Sequence, residues 1–391
     1  MEARAAELQA KLFTIDTHVD TPTASLRRPG WDIGQRHDAA TDFSQCDFPR
    51  MREGGLKSAF FAVYLSQTPN GLTPAGRAAA RDKALGIFVR VREAVASHSG
   101  ESALAFTSTD GPSIAATGKR AIYLSIENGY AIGEDITLLA TYYKLGARIF
   151  GITHFSNNDL GDSATDPVGP HWHGLSPLGK QAVAECNRLG LVVDGSHASD
   201  EVLDQLLTLS KTPIILSHSG CKAVYNHPRN IGDALLRRLA AQGGVIQMNT
   251  LSSYLVDTPP NPELNKARAQ LMAKWGAGGM TEAQEAEAMM EMGKLRAKFG
   301  GKRGSIDDFL KHLFHAIEIA GPDHVGIGSD MDGGGGLDGL EDVSAYGKIT
   351  LALVKHGYSD EDIAKIWGGN TMRLLKAAQT YAAAQVVPAK Q

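Results

Sequence analysis

His18 and Asp20 stand two residues apart at the end of an apolar-flanked, β-type run from Thr14 to Thr21. Residues i and i+2 of a strand point to the same side, so an imidazole and a carboxylate converge there, as half of a metal site does. The same residue types recur at the ends of later strand-like runs: Glu127, His154, His197, His218 and Asp330. Imidazoles and carboxylates gathered in one place can hold divalent ions, and a carboxylate such as Glu127 can join two because each oxygen offers lone pairs. Two ions need about six ligands plus water. The three cysteines, Cys46, Cys186 and Cys221, show no Cys-x-x-Cys spacing, which leaves the ligands to histidine and carboxylate. Such a donor set suits zinc first, with manganese, cobalt or iron as alternatives. Paired ions lower the pKa of a shared water and polarise a carbonyl, so hydrolysis is the expected chemistry.

These residues meet only if the strands that carry them open on one shared end. Runs of strand character end near Asp20, Ser66, Glu127, His154, His197, His218, Leu251 and Asp330. Segments with helical spacing lie over 5–12, 76–97, 136–145, 179–189, 200–209, 233–241 and 306–320. Near-continuous apolar runs such as 56–66 fit strands buried on both faces, and the alternation with helices fits βα repeats. Eight such strands close a (β/α)8, TIM-like barrel, whose active site lies at the C-terminal ends of its strands. Six of the eight runs end in a metal-capable or proton-transfer side chain, whereas thirteen histidines placed at random would scatter, as His98, His312, His315 and His356 do.

The 391 residues are therefore expected to form one barrel domain with three decorations. A long loop over 22–50, rich in Pro, Gly and Asp, lies near the barrel mouth. A helical insertion over 257–304 follows the seventh strand, and its methionines Met280, Met289, Met290 and Met292 are expected to serve packing. A helical region over 342–383 completes the chain. With 43% hydrophobic and 21% charged residues the composition is that of an ordinary globular protein. A formal net charge of -4 and a pI near 6.4 provide no basic stripe for nucleic acid. No apolar run approaches the ~20 residues that span a bilayer, and the start, Met1 to Ala6, lacks the regions of a secretory signal. The chain as written is expected to be soluble and cytoplasmic, or periplasmic or secreted if a signal has been removed, with a homodimer compatible.

Seen together, the stretches 15–20, 125–129, 152–157, 193–197, 216–219, 228–230, 326–333, 339–344 and 370–375 resemble the membrane dipeptidase family, the renal dipeptidase-like branch of the metal-dependent amidohydrolase barrels. Asp20, where many related barrels carry a second histidine, favours this branch. The resemblance implies a zinc-dependent dipeptidase acting through a metal-bridging hydroxide on dipeptides, including those with a C-terminal D-residue. It implies that His18 and Asp20 hold one zinc, that His197 and His218 hold the other, and that Glu127 bridges them. By the same resemblance His154 stabilises the oxyanion, Asp330 transfers the proton, and Arg229 clamps the substrate carboxylate, with Tyr254 as a further contact. A guanidinium fork suits a free carboxylate bidentately, and a carboxyl group at a strand mouth can pass a proton to a leaving amine.

Two rival readings remain at this level. Another binuclear amidohydrolase would act on N-acyl amino acids or esters, but its paired metals are commonly bridged by a modified lysine at the fourth strand, where this chain has His154. A barrel that only binds would lack ligands, and none is missing from the set. The exported, lipid-anchored members of the family also differ from this chain, in which neither a signal nor an anchor tail is read and no membrane anchor is expected.

Overall fold

The computed structural model describes residues 1–67, 71–275 and 280–385. Among these residues nine strands form one sheet: β1 (Ile15–Val19), β2 (Ser58–Tyr64), β3 (Ser102–Leu104), β4 (Arg120–Glu127), β5 (Ala147–Gly151), β6 (Val192–Asp194), β7 (Ile215–Ser219), β8 (Val245–Met248) and β9 (Val325–Ile327). The order is β1-β2-β4-β5-β6-β7-β8-β9, parallel at each step. A bridge between Val19 and Met331 joins the two ends of this path. There the Asp20 amide donates to the Met331 carbonyl at 2.8 Å and the Asp330 amide to the His18 carbonyl at 3.1 Å. The strands are buried on both faces, as their unbroken Val, Ile, Phe and Ala content requires once helices cover the outside.

β3 was not anticipated from the sequence. It pairs with Arg120 to Ile122 at the start of β4, while β5 takes Leu124 to Ile126 further along. Three residues are too few to announce a strand by alternation, and its place depends on an edge that exists only after β4 has formed. The strands also stop earlier than their apolar runs suggest. β5, β6 and β9 end three residues before His154, His197 and Asp330, so those residues occupy the turns beyond the strands.

Near the strands' N-terminal ends, Ile15, Phe60, Tyr123, Ile149, Val192, Ile215 and Val245 cluster with Leu374 and Leu375 of the helix Asn370–Gln385. That apolar plug leaves polar residues for the opposite end. A larger cluster lies between the strands and the surrounding helices. Serines cap several of those helices, with Ser176 accepting from the Gly179 amide and Ser199 from Val202. Between β1 and β2 stand three short helices, Thr21–Ala24, Ala39–Asp42 and Phe48–Glu53. The latter two start at Asp38 and Asp47, whose carboxylates accept from backbone amides inside each helix. Between β8 and β9 lie the helices Pro262–Trp275 and Glu282–Phe299, followed by Ile306–Ala320.

Candidate active site

His18 is the fourth residue of β1 and Asp20 follows its end; Glu127 closes β4, and His218 is the fourth residue of β7. With His154, His197 and Asp330 they make seven side chains, each between 1% and 8% exposed, gathered at one end of the barrel. Glu127 is the centre. Its Oε1 lies 3.1 Å from His197 Nε2, 3.4 Å from His154 Nε2 and 3.5 Å from His218 Nε2, and its Oε2 lies 3.3 Å from His18 Nε2. His18 Nε2 is also 3.3 Å from Asp20 Oδ2. The Nε2 atoms of His197 and His218 face each other at 2.9 Å.

The donor set fits divalent ions. Among the described residues three overlapping groups could each hold a cation: His18 with Glu127 and His218, Glu127 with His154 and His197, and His18 with Asp20 and Asp330. His18 Nε2 and Asp20 Oδ1 are buried with no hydrogen-bond partner in the protein. A buried polar atom left unpartnered costs about 1–3 kcal/mol, and a cation between these atoms would satisfy both.

Electrostatics agree with that assignment. Burial opposes the charged form of His18, yet the nearby Glu127 and Asp20 carboxylates hold its pKa well above the usual value, so a positive charge is favoured at that spot. Burial, followed by the Arg229 and His154 charges at His197 and the His18 and Arg229 charges at His218, pushes both imidazoles well below their usual range. They stay neutral, as ligands must. Burial and Arg229 bring His154 down to about 3. Burial and the adjacent Asp20 carboxylate raise Asp330 well above the usual carboxyl range, so this group keeps its proton more readily than an ordinary aspartate.

The backbone around the cluster is unusual. Six described non-glycine residues have left-handed φ values, and four of them are Asn128 (79°), His197 (66°), Asp330 (64°) and Asp332 (67°). Such conformations cost of order 1–3 kcal/mol each and persist only where surrounding contacts hold them. Gly333 shows why close approach matters here, since an added Cβ would lie 2.1 Å from both Asp20 Oδ2 and Asp330 Oδ1. Asp332 accepts from the Gln45 amide at 2.6 Å and from Thr21 Oγ1 at 2.5 Å, which ties the β1–β2 connection to the turn after β9.

Further contacts aim the ligands. Ser217 Oγ lies 2.5 Å from Asp194 Oδ2 and 2.9 Å from His218 Nδ1. A carboxylate can only accept, so the serine proton goes to Asp194 and the serine oxygen accepts from His218 Nδ1–H. That tautomer leaves the Nε2 lone pair free for a cation. Asp16 accepts from the His18 and Ser329 amides, each at 3.0 Å, and from the Tyr346 hydroxyl, which braces β1 against the end of β9.

Arg229 and Tyr254 are adjacent but placed differently. Arg229 is 3% exposed, its Nη2 donates to the His218 carbonyl at 3.0 Å, and its Cζ sits 5.1 Å from the Tyr254 ring centre. Tyr254 lines a cavity of about 380 Å³ together with Asp20, Glu127, His154, His197 and Asp330, whereas Arg229 borders a small crevice shared with His197. The same cavity is also lined by Met272, Met280, Met289 and Met292 and by the charged Arg27, Lys83 and Glu285. Packing is thus only part of what Met280, Met289 and Met292 do. In the sequence Asp194, Ser217, Asp332 and Gly333 carry no strand-end signal of their own, although all four lie within the family-like stretches 193–197, 216–219 and 326–333.

A parallel βα barrel with histidines and carboxylates gathered at the C-terminal strand ends is the architecture of the metal-dependent amidohydrolases. Within that class, the family description Membrane dipeptidase (Peptidase family M19) matches residues 2–388, and the chain belongs to this family of metal-dependent hydrolases. It is 31% identical to the uncharacterized dipeptidase C965.12 of Schizosaccharomyces pombe, over 97% of this chain and 84% of that protein. It is 29% identical to the dipeptidase tcpJ of Claviceps purpurea, over 87% of this chain and 70% of that one. The crystal structure of the probable dipeptidase PvdM from Pseudomonas aeruginosa superposes with a TM-score of 0.81 at 29% identity, covering 97% of this chain and 99% of that one. No described helix is long and apolar enough to cross a membrane.

Proposed function

We infer that the protein is a binuclear zinc dipeptidase, with His18 and Asp20 holding one ion, His197 and His218 the other, and Glu127 shared between them. The observation that carries this reading is the position of Glu127, whose two oxygens lie 3.1–3.5 Å from the Nε2 atoms of four histidines. When bound, a pair of divalent ions lowers the pKa of water and polarises the carbonyl it touches.

The residues then divide the remaining work. His154, neutral at any working pH because burial and Arg229 hold it near 3, offers an uncharged N–H to the oxygen of the scissile carbonyl. Asp330, whose burial and Asp20 neighbour raise its pKa above that of an ordinary aspartate, passes a proton to the departing amine. Arg229 and Tyr254 receive the substrate's carboxylate, a role that the unpartnered, buried Nε of Arg229 supports. His154, Asp330, Arg229 and Tyr254 are each at most 8% exposed, and burial strengthens each of these interactions.

The test is a screen of the zinc-loaded enzyme against a dipeptide library that includes L,D-dipeptides, together with N-acyl amino acids and a phosphotriester. Turnover of dipeptides is expected, with D-residues accepted at the C-terminal position. Turnover confined to N-acyl amino acids or the phosphotriester would sink the dipeptidase reading.

A further inference from the structure

The cavity above the ligand cluster has two unlike sides. One is the polar set just described, and the other is walled by Met272 of the helix Pro262–Trp275, by Met280, and by Met289 and Met292 of Glu282–Phe299. Phe155, beyond β5, extends the apolar surface. Phe155, Met272 and Met289 are 50%, 57% and 40% exposed, so large apolar side chains ring a concave site without cover of their own. Uncovered apolar surface of this kind, continuous with a catalytic cluster, is what a ligand's apolar part fills.

The wall is fastened to the barrel rim by charge. Glu285 Oε2 lies 2.5 Å from Arg27 Nη1 and 3.0 Å from Lys83 Nζ, and Arg27 Nη2 also meets the Met289 sulfur. Arg27 follows the helix Thr21–Ala24 and Lys83 belongs to the helix Pro74–Ser97, so two separate parts of the barrel hold the same glutamate. The thioethers are thereby presented to the cavity rather than left on a loose appendage.

We propose that this methionine wall is the side-chain subsite of the enzyme and selects dipeptides that carry one bulky apolar residue. The proposal rests on the dipeptidase reading and narrows it. Unbranched thioethers adapt to leucine, methionine or phenylalanine shapes alike, which predicts breadth among large apolar side chains. A charged side chain turned toward the thioethers would lose its water, and the nearest charged groups, Arg27, Lys83 and Glu285, are already engaged with one another. A small dipeptide such as Ala-Ala would leave the wall uncovered.

The experiment compares kcat/KM of the zinc-loaded enzyme for Ala-Ala, Leu-Ala, Phe-Ala, Ala-Leu, Ala-Phe and Ala-Asp. The best bulky apolar substrate should exceed both Ala-Ala and Ala-Asp by about tenfold or more. In a Met289→Ser, Met292→Ser double variant this ratio should fall toward one, while Met292→Leu should preserve it. Glu285→Gln keeps every thioether and loosens only the fastening, so it should lower the ratio even if the double variant folds poorly. A ratio unchanged in the double variant and in Glu285→Gln overturns the proposal. So does a change of oligomeric state with selectivity intact, because the wall would then be a subunit contact. Hydrolysis of Ala-Ala with no preference for bulky residues defeats the subsite alone, whereas no hydrolysis of any dipeptide defeats the dipeptidase reading beneath it.

Discussion

At the scale of single residues, the site is a problem of aiming lone pairs. Four histidines reach Glu127 through Nε2, and His218 can do so only in the tautomer that Ser217 and Asp194 impose. Ser217→Ala removes that control and should weaken zinc binding by about 10–100-fold, measured by chelator competition, with the fold intact by circular dichroism. Unchanged affinity would mean that the serine only packs. Glu127→Gln should abolish high-affinity binding and most activity together, because the amide supplies a single neutral acceptor where two anionic oxygens stood. Asp330→Asn separates binding from proton transfer. With both ions retained, dipeptide turnover should fall by about 10²–10⁴-fold, and full turnover by that variant would remove Asp330 from the reaction.

At the scale of elements, the same residue type plays a different part when a helix carries it. His312 lies on the helix Ile306–Ala320 and is fully buried; its Nδ1 accepts from the Cys221 amide at 2.9 Å and its Nε2 donates to the Leu255 carbonyl at 3.1 Å. Both nitrogens are thus committed to the neutral ring, which pins the helix to the segments after β7 and β8. Burial brings its pKa down to about 4 from the ordinary 6.5, partly offset by the Leu255 hydrogen bond, with His315, Asp308 and Lys311 as minor influences. Below 6.5 the unfolded chain takes up a proton that the folded chain refuses. The stability this ring contributes is therefore complete above pH 6.5 and declines as pH falls toward about 4, by about 3 kcal/mol in all. Urea unfolding of the wild type and His312→Gln at pH 7.5, 6 and 5 should show the difference between them shrinking with acid. Parallel loss in both proteins would mean that the ring is not held neutral.

At the scale of the whole molecule, the bound ions are expected to act as structural ligands too. Asp20, Glu127 and Asp330, at or just beyond the ends of β1, β4 and β9, are far apart in sequence and converge on one end of the ring. Ions that bind only the folded ring stabilise it by about 4 kcal/mol when present at 1,000 times their dissociation constant. At that figure for each of two ions, removing both with a chelator should lower the calorimetric Tm by roughly 10 °C, with recovery on adding zinc. A midpoint indifferent to chelator would argue against ions bound in this cluster.

Much of this protein was legible in its order of residues. Parallel strands buried on both faces must be apolar throughout, so their runs stand out, and His18, Asp20, Glu127, His154, His197, His218 and Asp330 declared themselves by recurring at the ends of those runs. The helices 200–209, 233–241 and 306–320 could be bounded for the same reason, since periodicity and capping are local. Other features were decided by tertiary structure alone. β3 exists because β4 leaves an edge at its start, Gly333 is needed because two carboxylates close upon it, and the left-handed φ of His197 and Asp330 is held by contacts from elsewhere in the chain. Met280, Met289 and Met292 read as ordinary packing residues along the chain, whereas folding brings Glu285 against Arg27 and Lys83 and sets the three thioethers along the cavity. Local propensity is written along the chain, whereas a cavity belongs to pairs of segments that only the closed ring brings together.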